Sequence, residues 1–146
     1  MNTKSLVQDW MRTEVLTVNP ELRVERAWEL MERQRVRHLP VVKNAQLVGM
    51  VTQRDLKRTL FPTPLSVLAP PRGRPQPAVP PSDMSVSAIM TKTVHVAKPM
   101  EPLLSAAQRL LSEHVGSLPV VDDAGSVVGI VTKTDLVKAL VFLLQR

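Results

Sequence analysis

The chain is one unit written twice, and that repetition constrains its fold more than any bulk property. Met11 is matched by Met90, Pro20 by Pro99, and His38–Val42 (HLPVV) by Ser117–Val121 (SLPVV), each at a separation of 79 residues. From Gly49 and Gly129 onward the separation is 80, so that GMVTQRD (Gly49–Asp55) faces GIVTKTD (Gly129–Asp135). The slip falls between the paired valines and the glycine, where KNAQ stands opposite DDAGS. A turn absorbs an extra residue without disturbing the strands beside it, so the slip itself predicts a hairpin in each copy. A sequence repeated at this period forms the same supersecondary unit twice.

Within each copy the pattern reads strand, helix, strand, strand, helix. Val15–Val18 is short, apolar-rich and stopped by Asn19-Pro20. Val24, Ala27, Trp28 and Met31 then recur at i, i+3, i+4 and i+7, one face of a helix, with Leu103, Ala107, Leu110 and Leu111 as their counterparts. Leu39–Val42 and Leu47–Thr52 are β-rich runs about a polar turn, as are Leu118–Val121 and Val127–Thr132; helices are expected over Asp55–Leu60 and Asp135–Leu144. Between the copies, residues 62–81 hold 8 of the 13 prolines. Proline fixes φ and lacks an amide donor, so this stretch reads as an extended linker. The expected organisation is a first copy over 1–61, a Pro-rich linker over 62–83 and a second copy over 84–146. A copy of about 55 residues is marginal for a core of its own. The economical α/β (α+β) architecture is therefore two βαββα units packed about a pseudo-twofold axis.

Composition narrows the class. No apolar run reaches the roughly 18 residues of a membrane span, and the first residues lack the apolar core of a signal peptide. With no cysteine there is neither a disulfide framework nor a thiolate zinc site. The expectation is a cytoplasmic protein away from membranes. The net charge of +6 lies in the first half, where residues 1–79 carry 13 Lys/Arg against 7 Asp/Glu and the remainder 6 against 6. A basic half favours an anionic partner, or is a solvated face. Arg23, Arg26, Arg33 and Arg35 interleave with Glu21, Glu25, Glu29 and Glu32, and no aromatic platform accompanies the charge. Nucleic acid is thus disfavoured as a partner.

The repeated heptad has two physical readings. Thr52 and Asp55, like Thr132 and Asp135, stand where a strand hands over to a helix. Threonine caps a helix well, and an acid three residues on completes a capping box. The same geometry suits a ligand. A helix start favours an anion, and a carboxylate there can accept hydrogen bonds from vicinal ribose hydroxyls. Met50-Val51 and Ile130-Val131, with Pro40 and Pro119 nearby, could wall a purine. The residues alone leave the two readings even.

The segments DWMRTEVLTVNPE, AWELMERQRVRHLPVV and LVGMVTQRDL, with AIMTKTVHVAKPM and AAQRLLSEHVGSLPVVDDAGSVVGIVTKTDL, resemble a tandem pair of cystathionine-β-synthase (CBS) domains, a Bateman module. The likeness extends to stand-alone bacterial two-CBS proteins, including the acetoin-utilisation type. The resemblance implies clefts that take AMP, ADP, ATP, S-adenosylmethionine or a related adenosyl compound as a regulatory ligand, with no required cofactor. It assigns the ribose and phosphate contacts to Thr52 and Asp55, and to Thr132 and Asp135. Base or phosphate contacts fall to Thr17, Val18, Arg37, His38, Leu39, Pro40, Met50, Val51 and Arg54 in the first copy. In the second they fall to Val96, Ser117, Leu118, Pro119, Ile130 and Val131.

The copies differ in charge. Arg37, His38, Arg54, Lys57 and Arg58 surround the first motif, and their counterparts are Gly116, Ser117, Thr134, Val137 and Lys138. The first site is therefore expected to favour the more anionic ligand. No nucleophile–base constellation, phosphate-cradling glycine loop or metal-ligand spacing is present, which argues against catalysis and against a metal. Trp28 reads as core and the scattered methionines as fillers. The final helix is apolar on nearly every side, and a homodimer would cover it. The function expected is a non-enzymatic sensor of adenosyl ligands. The alternative is a dimerisation or partner-binding scaffold whose clefts are degenerate.

Overall fold

The computed structural model describes residues 5–61 and 83–145, so nearly all of the expected linker lies outside the described residues. Each copy opens with a short 3-10 turn, Val7–Asp9 in the first and Val86–Ala88 in the second. The first copy continues as α1 (Val24–Gln34), β1 (His38–Lys43), β2 (Gln46–Thr52) and α2 (Gln53–Leu60). The second continues as α3 (Leu103–Ser112), β3 (Ser117–Val121), β4 (Val127–Thr132) and α4 (Lys133–Leu144). The strands form two two-stranded sheets, β1-β2 and β3-β4.

The strand expected at Val15–Val18 is reduced to one parallel bridge, Val18 to Val41, matched by Ala97 to Val120 in the second copy. Proline is the reason. The Val18 amide donates to the Pro40 carbonyl at 3.0 Å, and Ala97 does the same to Pro119 at 3.0 Å. The next rungs would need amide donors at Pro40 and Pro20, or at Pro119 and Pro99, and none of these has one. The strand cannot lengthen in either direction.

The slip between the copies lies in the hairpin turns, as expected. Asn44 and Ala45 both have positive φ, 52° and 63°, which is the two-residue turn that matches strand twist. The second turn is longer. Asp122 Oδ1 accepts from the amides of Ala124 (3.0 Å) and Ser126 (2.9 Å), Gly125 takes φ 85°, and the register shifts between Val120 and Val121. The extra residue is thus taken up as a bulge.

By packing, the chain divides into two compact units that do not follow the two copies. One gathers residues 5–16, 42–47 and 93–145; the other gathers 17–41, 48–61 and 83–92. In the first unit Val7, Ala97, Ala106, Leu110, Leu118, Val120 and Val131 form the core, with Met11 and Leu136 packed against it. The opening segment is held by backbone bonds, Val7 amide to Glu101 carbonyl (2.9 Å) and Leu103 amide to Ser5 carbonyl (2.6 Å). The hairpin tip is pinned in the same unit by Gln46 Nε2 donating to the Ala124 carbonyl (2.7 Å). In the second unit Val24, Ala27, Met31, Leu39, Val41, Val51, Leu56 and Val86 are fully enclosed. There the Val24 amide donates to the Met84 carbonyl (3.0 Å) and Val86 to Leu22 (2.7 Å). Each unit therefore takes its opening turn from the other copy.

The α1 face is the expected one, with Trp28 half-buried edge-to-face on Phe61. The α3 face is rotated from expectation. Ala106 and Leu110 are buried, while Leu111 is 73% exposed and Leu104 68%. Four leucines in a ten-residue helix blur the apolar stripe, so periodicity alone could not choose among them.

Candidate functional site

Both capping boxes form. Thr52 and Thr132 are the N-caps of α2 and α4, and each hydroxyl oxygen accepts the amide of the aspartate three residues on at 3.3 Å. Asp55 Oδ2 accepts the Thr52 amide at 2.9 Å, and Asp135 Oδ2 accepts the Thr132 amide at 2.8 Å. In each box the aspartate's second oxygen is not the one that caps. The helix-start amides are partly used already. Gln53 donates to the Arg37 carbonyl (2.9 Å) and Lys133 to the Gly116 carbonyl (3.2 Å), which ties each helix start to the entry of the preceding hairpin.

The other candidate residues sort by the two-residue period of a strand. In β3-β4 the cross-strand partners are Ser117 with Thr132, Leu118 with Val131, and Pro119 with Ile130. Leu118 and Val131 are fully buried and belong to the core. Ser117, Pro119, Ile130 and Thr132 share the opposite face. By the same alternation Leu39 and Val51, both fully enclosed, face the core, whereas His38, Pro40, Met50 and Thr52 face the other way. The side chains of Leu39, Val51, Leu118 and Val131 thus pack as core, while Pro40 and Met50, and Pro119 and Ile130, lie on the opposite faces of the strands.

Val18 is buried at its bridge, and Thr17, Arg37 and Arg54 are exposed. Val96 is half-buried, its carbonyl held by Arg109 Nη1 at 2.7 Å. Arg109 also pairs with Glu101. Burial pushes the Glu101 carboxyl up, but the Arg109 bond and the Lys98 amide outweigh it and hold it below the usual carboxylate range. His38 Nδ1 is buried and makes no hydrogen bond among the described residues. Burial, then the Arg37 guanidinium, push this imidazole below its ordinary value, with Asp55 pulling weakly the other way. Among the described residues no cluster of three or more His, Cys, Asp or Glu could hold a metal ion. None of the described helices is long and apolar enough to cross a membrane.

Two features were not read from the sequence. At the glycine of each heptad another backbone crosses the strand. Arg12 exchanges both backbone bonds with Ile130 (2.9 and 3.0 Å), and Thr91 does so with Met50 (2.9 and 3.0 Å). A Cβ at Gly129 would meet Met11 Sδ at 2.6 Å and the Arg12 carbonyl oxygen at 2.9 Å. Met11 and Met90 are therefore seated on the glycines rather than being scattered filler. The second feature follows from the first. Arg12, which belongs to the first copy, stands over the aspartate of the second, with Nε 3.7 Å from Asp135 Oδ1. No local pattern marks it, because the pairing depends on the exchanged opening segment.

The CBS domain family model matches residues 7–61 and 86–142, nearly the whole of both copies. The chain belongs to the CBS domain family. This CBS pair is 33% identical over 132 residues to CBS domain-containing protein YhcV of Bacillus subtilis, covering 90% of this chain and 83% of that one. It is 30% identical over 131 residues to the homoserine O-acetyltransferase of Methanohalobium evestigatum, matching 89% of this chain but only 23% of that enzyme. It likewise spans 21% of the inosine-5′-monophosphate dehydrogenase of Thermoplasma acidophilum. Among solved structures it resembles CBSX2 in complex with AMP, with a TM-score of 0.78 at 28% identity, covering 97% of this chain and 99% of that one. The CBS domain pair of protein MJ0100 in complex with 5′-methylthioadenosine and S-adenosyl-L-methionine gives 0.75 at 26%, covering 93% and 99%. A Vibrio cholerae protein named for acetoin utilization (AcuB) gives 0.74 at 28%, covering 96% and 93%.

Proposed function

We propose that the chain is a non-enzymatic, cytoplasmic regulatory module that binds an adenosine-containing ligand at Thr52–Asp55, at Thr132–Asp135, or at both. The observation that carries this reading is the twin capping box. Each box fixes an aspartate at a helix start with one carboxylate oxygen engaged in the cap and the other left for ribose hydroxyls. Pro40 with Met50, and Pro119 with Ile130, would supply apolar contact to the base. The unsatisfied His38 Nδ1 supports a polar contact in the first site, since a buried polar atom without a partner is costly. AMP bound by CBSX2, and the adenosyl compounds bound by MJ0100, support the ligand class. Ligand signals only through unequal affinity for two states of the module, which a partner or a second copy would read.

A thermal-shift screen tests the class. A ligand that binds the native state at 100 times its Kd adds about 2.7 kcal/mol of stability by mass action. AMP, ATP, 5′-methylthioadenosine or S-adenosylmethionine is expected to raise the midpoint by several degrees. Silence across that panel would leave the scaffold reading in its place.

The helix α4 supports a homodimer as the working unit. Val137, Leu140, Val141 and Leu144 are 50 to 74% exposed, and Leu104 and Leu111 of α3 in the same unit are exposed as well. An apolar stripe of this kind on a small protein marks an interaction surface. Light scattering is expected to give twice the chain mass of 16.2 kDa. A monomer at micromolar concentration would refute the dimer.

A further inference from the structure

We infer that Arg12 is the residue by which the site at Asp135 selects a 5′-phosphorylated adenosyl ligand over an uncharged one; this rests on the adenosyl reading above and extends it. The Asp135 side chain is only 4% exposed. Its Oδ2 is occupied by the Thr132 amide at 2.8 Å and the Thr132 hydroxyl at 3.1 Å. Oδ1 is the oxygen left for a ribose, and it faces Arg12 Nε at 3.7 Å. That separation is beyond a hydrogen bond, so the guanidinium is held by charge alone and its donors are not committed to the carboxylate. The Arg12 side chain is half exposed, at 51%, while its backbone is fixed by the two bonds to Ile130. The side chain thus extends into solvent from a fixed base, with Nε 3.7 Å from the oxygen a ribose would use.

A ligand carrying a phosphate offers this guanidinium a second anion, with the geometry for bidentate, charge-assisted hydrogen bonds. Arg12 can then swing to the phosphate as the ribose hydroxyls take Asp135 Oδ1. A ligand without a phosphate gains nothing from this guanidinium. In the other unit the crossing residue is Thr91, paired with Met50 as Arg12 is with Ile130, and it carries no charge. The two sites therefore differ at this position in kind. The cations crowding the first heptad in sequence do not make the second site neutral.

The test uses the full chain with Asp55→Asn, which keeps the cap, so that only the Asp135 site is read, and titrates AMP and 5′-methylthioadenosine by calorimetry. Adding Arg12→Gln is expected to weaken AMP roughly tenfold and leave 5′-methylthioadenosine within about twofold, as expected for loss of a charge-assisted bond made to the phosphate alone. Arg12→Lys is expected to recover part of the AMP affinity, since it keeps the charge and loses the fork. Equal losses for both ligands, or no loss for AMP, would overturn the inference; the first would make Arg12 a structural support of Asp135. If Asp55→Asn alone removes all binding, the Asp135 site is not used and the inference falls while the adenosyl reading stands. If the unmodified chain binds neither compound, both fall together.

Discussion

Asparagine at both Asp55 and Asp135 is expected to weaken adenosyl-ligand binding by about a hundredfold or more while leaving the fold in place. A carboxylate can accept both vicinal hydroxyls of a ribose, and each charge-assisted bond contributes about 1.5–3 kcal/mol. Asparagine offers one acceptor oxygen, and in this fold that oxygen is needed by the Thr52 or Thr132 amide, which the aspartate already engages at 2.9 and 2.8 Å. The cap should therefore survive, at a cost of a few tenths to about 1 kcal/mol per helix for the lost charge at the helix start. Alanine is the poorer probe, because it removes cap and ligand contact together. Calorimetric titration beside thermal unfolding separates the two effects. A double asparagine variant that binds like the unmodified chain would show that these aspartates are caps and nothing else.

Valine at Gly129 is expected to destabilise the chain by about 3 kcal/mol, a fall in melting temperature on the order of 10 °C. The first added carbon already meets the Arg12 carbonyl oxygen at 2.9 Å and Met11 Sδ at 2.6 Å. The methionine can move, but the carbonyl belongs to the bridge with Ile130 and cannot shift without breaking two hydrogen bonds. At Gly49 the corresponding backbone atom, the Thr91 carbonyl oxygen, is 3.1 Å away, so the same change there should cost less. Urea denaturation of the two valine variants measures the difference. An unchanged midpoint for Gly129→Val would mean that residues 5–16 are not seated on β4.

Local signals reported the local structure faithfully. The hairpins, α1 and the capping boxes follow from strand alternation, helix period and the Thr-x-x-Asp spacing, because each depends on residues close in sequence. Even the loss of the first strand was written in Pro20, Pro40, Pro99 and Pro119, once the missing donors are followed rung by rung. The face of α3 was ambiguous because leucine occupies more than one stripe. Arg12 beside Asp135 was beyond reach of any periodicity, since it depends on which copy's opening turn enters which unit. The same blindness made Met11 and Met90 look like filler, whereas the core placement of Leu39, Val51, Leu118 and Val131 follows from strand alternation.

The exchange of opening turns has a consequence for how such a chain can change. A single copy cut free would lack the segment that crosses its glycine, yet an identical second copy could supply it. Within this chain each unit already holds the opening segment of the other copy. A substitution at Met11 is then felt at Gly129, and one at Met90 at Gly49. Arg12 and Thr91 show that side chains at the crossings differ between the copies, while the contact of methionine on glycine is kept in both.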